Sequence, residues 1–107
     1  MPPSFIITPV EKGIVRCKHS APLNPDDVRS LAGFLHDYRG KLLVDLTETT
    51  GDECSRNLQN FRPMMPTTAI FGAKIDPRIL DIPESYYVRE VRYFETEEEA
   101  LTWLRNQ

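Results

Sequence analysis

The stretch Lys41-Leu42-Leu43-Val44-Asp45-Leu46 decides the fold class, because it is a nearly continuous apolar run about one strand long. Such a run is typical of a central parallel strand that is covered on both faces. A helical pattern precedes it, with apolar residues at helical spacing and Gly40 as a typical helix stop. The apolar positions of this helix are Val28, Leu31, Ala32 and Leu35. The helix begins at Asn24-Pro25-Asp26-Asp27, where Asn can cap the helix and Pro fits its first position.

Two short extended segments come before this helix. The segment from Phe5 to Val10 predicts a first strand, and Pro9 indicates that it lies at an edge of the sheet. The segment from Ile14 to His19 alternates between two faces, as a strand does. Because Gly13 lies in the short turn between them, we predict a β-hairpin.

Strand and helix patterns also alternate after the central strand. Thr50 to Glu53 fits a capping box, and it opens a second helix whose apolar positions include Leu58 and Phe61. Thr67 to Phe71 predicts the next strand, which Gly72 ends, and the chain is again extended from Tyr87 to Phe94. A second capping box, Thr96-Glu97-Glu98-Glu99, opens the last helix.

Alternation of this kind favours parallel pairing with right-handed crossovers. We therefore predict one α/β domain over residues 1–107. It has a mixed sheet with an N-terminal antiparallel hairpin, followed by parallel strands and covering helices.

Bulk properties exclude several classes of function. The net charge of −3 and the pI near 5.3 give no general attraction to nucleic acid. The N-terminus lacks the pattern of a signal peptide, and no apolar run approaches the roughly 20 residues of a membrane span. Cys17 and Cys54 are too few for a disulfide framework. No Gly-rich phosphate loop is present either. We therefore expect a cytoplasmic protein without a cofactor.

The order of elements resembles the STAS domain, named for sulfate transporters and anti-sigma factor antagonists. The last segment, Val91-Arg92-Tyr93-Phe94-Glu95-Thr96-Glu97-Glu98-Glu99-Ala100-Leu101-Thr102-Trp103-Leu104, is similar to the end of short bacterial STAS-like proteins. Those proteins share an aromatic residue, an acidic helix start and an Ala-x-x-Trp-Leu pattern there. The resemblance implies a STAS-like fold and a regulatory role through protein–protein contact.

The resemblance also implies a site. In anti-sigma factor antagonists a strand ending near an Asp leads to an Asp-Ser-Ser-Gly motif, and a kinase phosphorylates its second Ser. Counting forward from Asp45, the corresponding stretch here is Glu53-Cys54-Ser55-Arg56. Glu53 matches the acidic residue and Ser55 the phosphoacceptor, while Cys54 replaces the first Ser and Arg56 replaces Gly. The alternative is that Ser55 is an exposed residue with no such role.

Other candidates follow from the residues themselves. Cys54 lies near a helix start that can lower a thiol pKa, but a shared face with Leu58 and Phe61 favours burial. Cys17 and His19 have a spacing that places two metal ligands together, although a structural zinc site normally needs four. We expect Cys17 in the core instead.

Acidic residues gather around the carboxyl end of the central strand, where open α/β sheets tend to bind ligands. They could hold a cation or act in acid–base chemistry, yet helix capping explains some of them as well. These residues are Asp45, Glu48, Asp52 and Glu53.

Our preferred interpretation is a non-enzymatic regulatory or protein-interaction domain, with Ser55 as its phosphoacceptor candidate. The interaction surface would comprise Thr49, Thr50, Glu53, Ser55 and Arg56. The alternative is a small-molecule or lipid-binding module with a pocket near Tyr86, Tyr87 and Trp103. The partner is an unidentified protein, and the short first strand leaves a homodimer open, although Pro9 argues against a long strand addition.

Overall fold

The computed structural model describes residues 5–19, 25–48, 66–72 and 90–107. These ranges contain five strands and two helices. They are β1 (Phe5–Glu11), β2 (Ile14–His19), α1 (Pro25–Asp37), β3 (Lys41–Asp45), β4 (Thr68–Phe71), β5 (Val91–Phe94) and α2 (Glu97–Arg105).

The five strands form one mixed sheet in the order β1-β2-β3-β4-β5. β1 and β2 pair antiparallel, and every later pair of neighbours is parallel. The predicted architecture, an antiparallel hairpin followed by parallel strands, is therefore confirmed. β3 lies at the centre, as the apolar run from Lys41 to Leu46 predicts.

The hairpin turns at Gly13, whose φ of 83° lies in the left-handed region that favours glycine. Just before the turn, the register with β2 shifts between Pro9 and Glu11, which marks a β-bulge. β1 has only β2 as a neighbour among the described strands, so Pro9 lies in an edge strand as predicted.

The sheet separates two hydrophobic clusters. One contains Leu31 and Leu35 of α1 with Leu42 and Val44 of β3. The other contains Leu43 of β3 and the buried residues of α2, Ala100 and Leu104. Because successive residues of a strand point to opposite faces, β3 contributes to both clusters and has to be apolar almost throughout.

α2 begins as the capping box predicts. Thr96 is its N-cap, and its hydroxyl accepts a hydrogen bond from the Glu99 N–H at 3.2 Å. At the other end the Lys41 ammonium donates to the Leu104 carbonyl oxygen at 2.7 Å, which satisfies a carbonyl of the last turn. α2 is thus capped at its first turn and joined to β3 at its last turn.

Some predicted elements lie outside the described residues. They are the helix after Thr50, the first part of the extended segment after Tyr87, and the Asn24 cap of α1. Neither described helix has the length and apolar character that a membrane span requires.

Candidate functional site at the carboxyl end of the sheet

The parallel strands all end on the same side of the sheet, which is its carboxyl end. The last residues there are His19 of β2, Asp45 of β3, Phe71 of β4 and Phe94 of β5. Ligand and partner sites of open α/β sheets tend to lie at this end, because the loops that follow the strands start there. It is also where the sequence analysis locates the acidic residues that follow β3.

Asp45 is buried, with 5% of its surface exposed. Its Oδ1 accepts two hydrogen bonds from Thr47, one from the backbone N–H at 2.9 Å and one from the hydroxyl at 2.6 Å. An Asp that binds the backbone two residues further on forms a local turn. The carboxylate therefore fixes the direction in which the chain leaves β3.

The end of β4 packs against this turn. The Leu46 N–H donates to the Phe71 carbonyl oxygen at 2.9 Å. Gly72 follows with a φ of 112°, and a Cβ there would lie 2.6 Å from the Thr47 nitrogen and 2.7 Å from the Leu46 carbonyl carbon. Only glycine lets the two chain segments approach so closely. Asp45, Thr47 and Gly72 thus form one closely packed corner, which we call the β3–β4 corner.

Cys17 and His19 lie beside this corner on β2. The Cys17 Sγ is 3.4 Å from the His19 Nε2, and both residues are buried. Burial raises the pKa of Cys17 to about 12. It lowers the pKa of His19 to about 4, against which the negative charge of Asp45 acts to raise that pKa. At neutral pH the thiol is therefore protonated and the imidazole neutral.

These protonation states decide what the pair can do. A nucleophilic cysteine needs a thiolate, which an adjacent imidazolium or a helix N-terminus stabilises. Neither charged form is favoured here, so Cys17 acts as a small apolar core residue, as the sequence analysis expects. Among the described residues, no group of three or more His, Cys, Asp or Glu side chains could hold a metal ion.

The remaining charged groups at the carboxyl end of the sheet are exposed. The Lys18 ammonium lies 3.6 Å from a Glu48 carboxylate oxygen, and both side chains are substantially exposed. An exposed ion pair of this kind contributes little to stability, about 1 kcal/mol at most. Its charges remain accessible to a partner.

The predicted interaction surface lies outside the described residues, in the segment that directly follows Glu48. Its residues are Thr49, Thr50, Glu53, Ser55 and Arg56, and Asp52 and Cys54 of the other hypotheses belong to the same segment. His36 is exposed, with its Nδ1 3.0 Å from an Asp37 carboxylate oxygen.

Only one residue of the predicted ligand pocket is described, and it is Trp103. Its ring packs at 5.6 Å from the Phe94 ring, and the Arg92 guanidinium lies 5.7 Å from its centre. Trp103 therefore fills the space between β5 and α2. Tyr86 and Tyr87 lie outside the described residues.

The β3–β4 corner was not predicted from the sequence. Its local signal is the Asp45-Leu46-Thr47 tripeptide at the end of a buried strand, because Asp two residues before a polar residue is typical of such turns. No local pattern indicates that Gly72 packs against this tripeptide, since Gly72 follows a different strand.

Comparison with protein-family models, with curated proteins and with solved structures finds no significant match to this chain. The fold itself defines the class: a small α/β protein with a five-stranded mixed sheet and a helix packed on each face in its described part.

Proposed function

We propose that this protein is a non-enzymatic regulatory domain of the STAS-like type. It acts by binding another protein through the segment that follows β3, and phosphorylation of Ser55 controls that binding. The observation that carries the proposal is the β3–β4 corner, because the segment with Glu53, Ser55 and Arg56 starts from it.

The close packing of the β3–β4 corner gives the segment a defined starting point. Asp45 is buried and its Oδ1 accepts two hydrogen bonds from Thr47, which makes it a structural residue rather than an exposed acid or base. A binding surface on a loop gains affinity when the scaffold beneath it is preorganised. The corner supplies such a scaffold up to Thr47, two residues before Thr49.

The chemistry of the neighbouring side chains also favours binding over catalysis. Cys17 and His19 are both neutral at physiological pH and buried, so they provide neither a nucleophile nor an exposed base. The exposed pair Lys18 and Glu48 provides one charge of each sign next to the segment. A phosphate on Ser55 would add about −1.5 to −2 charge to the segment and change which partners are attracted.

The experiment has two parts. The full chain is incubated with ATP and lysate from a bacterium that encodes a STAS-like protein, and phosphorylated sites are mapped by mass spectrometry. Partners are then captured with the wild type, with Ser55→Ala and with Ser55→Asp. We expect phosphate on Ser55 and loss of at least one captured protein in the Ser55→Asp variant.

Ser30→Asp is the matched control, because Ser30 is an exposed residue of α1 and the substitution adds the same charge elsewhere. It should leave the captured proteins unchanged. If Ser55 receives no phosphate and the Ser55→Asp variant captures the same proteins as the wild type, the switch hypothesis is wrong.

A further inference from the structure

The first four described residues of β1, Phe5 to Thr8, form the edge of the sheet, and we call them the edge segment. None of them is charged. Ile6 is the one large hydrophobic residue that is exposed in the described part of the chain, with 53% of its surface accessible. Edge strands of natural proteins usually carry a Lys, a Pro or a bulge that discourages pairing with another chain. Here Pro9 and the bulge come only after the edge segment.

The hydrogen bonds of the neighbouring strands determine which backbone groups of the edge segment point away from β2. The Lys41 N–H donates to the Gly13 carbonyl oxygen at 2.8 Å, so the Gly13 carbonyl faces β3. The N–H and C=O groups of successive residues point alternately to the two sides of a strand. Residues an odd number of positions after Gly13, such as Arg16 and Lys18, therefore face β1. Their register partners are Thr8 and Ile6.

Since Ile6 and Thr8 turn their N–H and C=O groups toward β2, Phe5 and Ile7 turn theirs away from the sheet. The backbone of Pro9 faces the same side as that of Phe5 and Ile7, away from β2. The absence of an N–H at Pro9 therefore removes no hydrogen bond to β2. The outer side of β1 thus offers the N–H and C=O groups of Phe5 and Ile7. The next residue with this direction, Pro9, has no N–H to donate.

We propose that two copies of this chain pair through the edge segment, antiparallel and about a two-fold axis at Ile6. In this register Phe5 of each copy lies opposite Ile7 of the second copy, and the two positions exchange both backbone hydrogen bonds. Ile6 lies opposite Ile6 of the second copy in a non-hydrogen-bonded pair. Such pairs bring Cα atoms to about 4.5 Å, which buries the exposed side chains against each other.

The register fits the described sequence of β1. Pro9 comes directly after the edge segment and has no N–H to donate. The proposed pairing is therefore limited to the edge segment. Because no charge lies within the edge segment, the two-fold axis brings no like charges together.

The opposite edge of the described sheet does not share these properties. β5 has the exposed Arg92 in its middle, ion-paired with Glu90. A two-fold pairing of β5 would bring two arginines close together, which is unfavourable. The edge segment is thus the better self-complementary edge.

Pairing of one short strand buries less surface than a standard stable interface of about 1,600 Å². The dimer is therefore expected to be in exchange with the monomer. Sedimentation velocity of the full chain over a concentration series should show a sedimentation coefficient that rises with protein concentration. The Ile6→Lys variant should remain a monomer throughout, because two ammonium groups would face each other across the axis.

Thr8→Lys is the matched control, since Thr8 is exposed on the same strand but lies away from the axis. It should still dimerise. Circular dichroism of both variants shows whether they are folded, and Ile6 is exposed enough for its replacement to leave the fold intact. A wild type that is monomeric at every concentration, or a dimer that Ile6→Lys leaves unchanged, would overturn the proposal.

Cross-linking tests the register directly. In a Cys54→Ser background, Ile6→Cys should form an intermolecular disulfide under mild oxidation in most of the protein, since opposed Cα atoms lie within the roughly 4.4–6.8 Å that a disulfide spans. Thr8→Cys should form little, because the proposed register separates the two copies of Thr8 by about 14 Å. The reverse pattern would contradict the register.

Discussion

At the scale of single residues, the carboxyl end of the sheet depends on a few close contacts. Gly72 permits the end of β4 to touch the backbone of Leu46 and Thr47. The Asp45 carboxylate accepts two hydrogen bonds from Thr47 in the turn that follows β3. His19 and Cys17 lie on the adjacent strand, buried and uncharged at neutral pH. Each of these residues has a structural role that a single substitution can test.

Gly72→Ala should lower the free energy of unfolding by about 2–4 kcal/mol, since overpacking and a left-handed φ both carry a cost. The new Cβ would lie 2.6 Å from the Thr47 nitrogen, which is backbone and has little room to move. Urea unfolding followed by circular dichroism measures the effect.

Gly33→Ala is the matched control. Gly33 lies in α1 with ordinary φ and nothing within 4 Å of an added Cβ. Alanine is the better helix former there, so stability should rise by about 0.5–1 kcal/mol. If both substitutions changed the free energy of unfolding equally, the backbone of Gly72 would not be tightly packed against Leu46 and Thr47.

The buried His19 predicts a pH dependence of stability. Its pKa is lowered from 6.5 to about 4 in the folded protein, so below pH 6.5 the unfolded chain binds a proton that the folded chain does not. This contribution to stability is fully present above pH 6.5 and decreases as the pH falls toward 4. The loss over this window should be at most roughly 3 kcal/mol, since one pKa unit corresponds to about 1.4 kcal/mol.

Urea unfolding at pH 7, 6, 5 and 4 should show this decrease in the wild type. The His19→Gln variant removes the titrating group, and its stability should vary less over the same window. His36→Gln should behave like the wild type, because His36 is exposed. Identical pH profiles of the wild type and His19→Gln would show that His19 is not held neutral by burial.

At the scale of elements, local sequence and observed structure agree most closely at helix and strand ends. The capping box at Thr96 opens α2, Pro25 is the first residue of α1, and Gly13 supplies the positive φ of the hairpin turn. These signals are local, since each concerns backbone groups within a few residues. They could therefore be predicted from the sequence.

Thr96→Ala should remove the cap of α2 and lower the free energy of unfolding by about 1 kcal/mol, within the 0.5–2 kcal/mol typical of N-caps. The cap bond is the one from the Glu99 N–H to the Thr96 hydroxyl. Thr102→Ala is the control, because Thr102 is an exposed residue within the same helix. Thermal unfolding of both variants compares them, and a Thr96→Ala protein as stable as Thr102→Ala would contradict the cap.

At the scale of the whole molecule, the sheet divides the described hydrophobic residues into the α1 cluster and the α2 cluster. β3 supplies both, which couples the two faces through one strand. A defect under α2 should therefore weaken the whole described fold instead of releasing one helix.

Leu104→Ala should lower the free energy of unfolding by about 2–5 kcal/mol, because Leu104 is fully buried under α2 and its loss leaves a cavity. Leu101→Ala, in the same helix but only partly buried, should cost clearly less. Chemical denaturation of both variants, monitored in parallel by Trp103 fluorescence and by circular dichroism, measures the two losses of stability. Two separate transitions in the Leu104→Ala protein would show that the two faces unfold independently.

Part of the sheet's arrangement could be predicted from the sequence: the hairpin, the central strand and Pro9 at an edge are confirmed. The order of the strands across the sheet, which follows the chain, was not predicted, nor which helix covers which face. Those features depend on packing between residues far apart in the chain, which hydrophobic periodicity does not encode.

Apolar alternation, capping boxes and turn glycines act over a few residues, so the class of fold could be predicted from the sequence. The burial of β3 on both faces could be predicted as well, since its apolar run has no polar side to offer water. The β3–β4 corner, the neutral state of Cys17 and His19, and the outward direction of the Phe5 and Ile7 backbone groups became visible only in the folded chain. Close approach, burial and strand register arise between neighbouring strands, and each depends on which strands become neighbours.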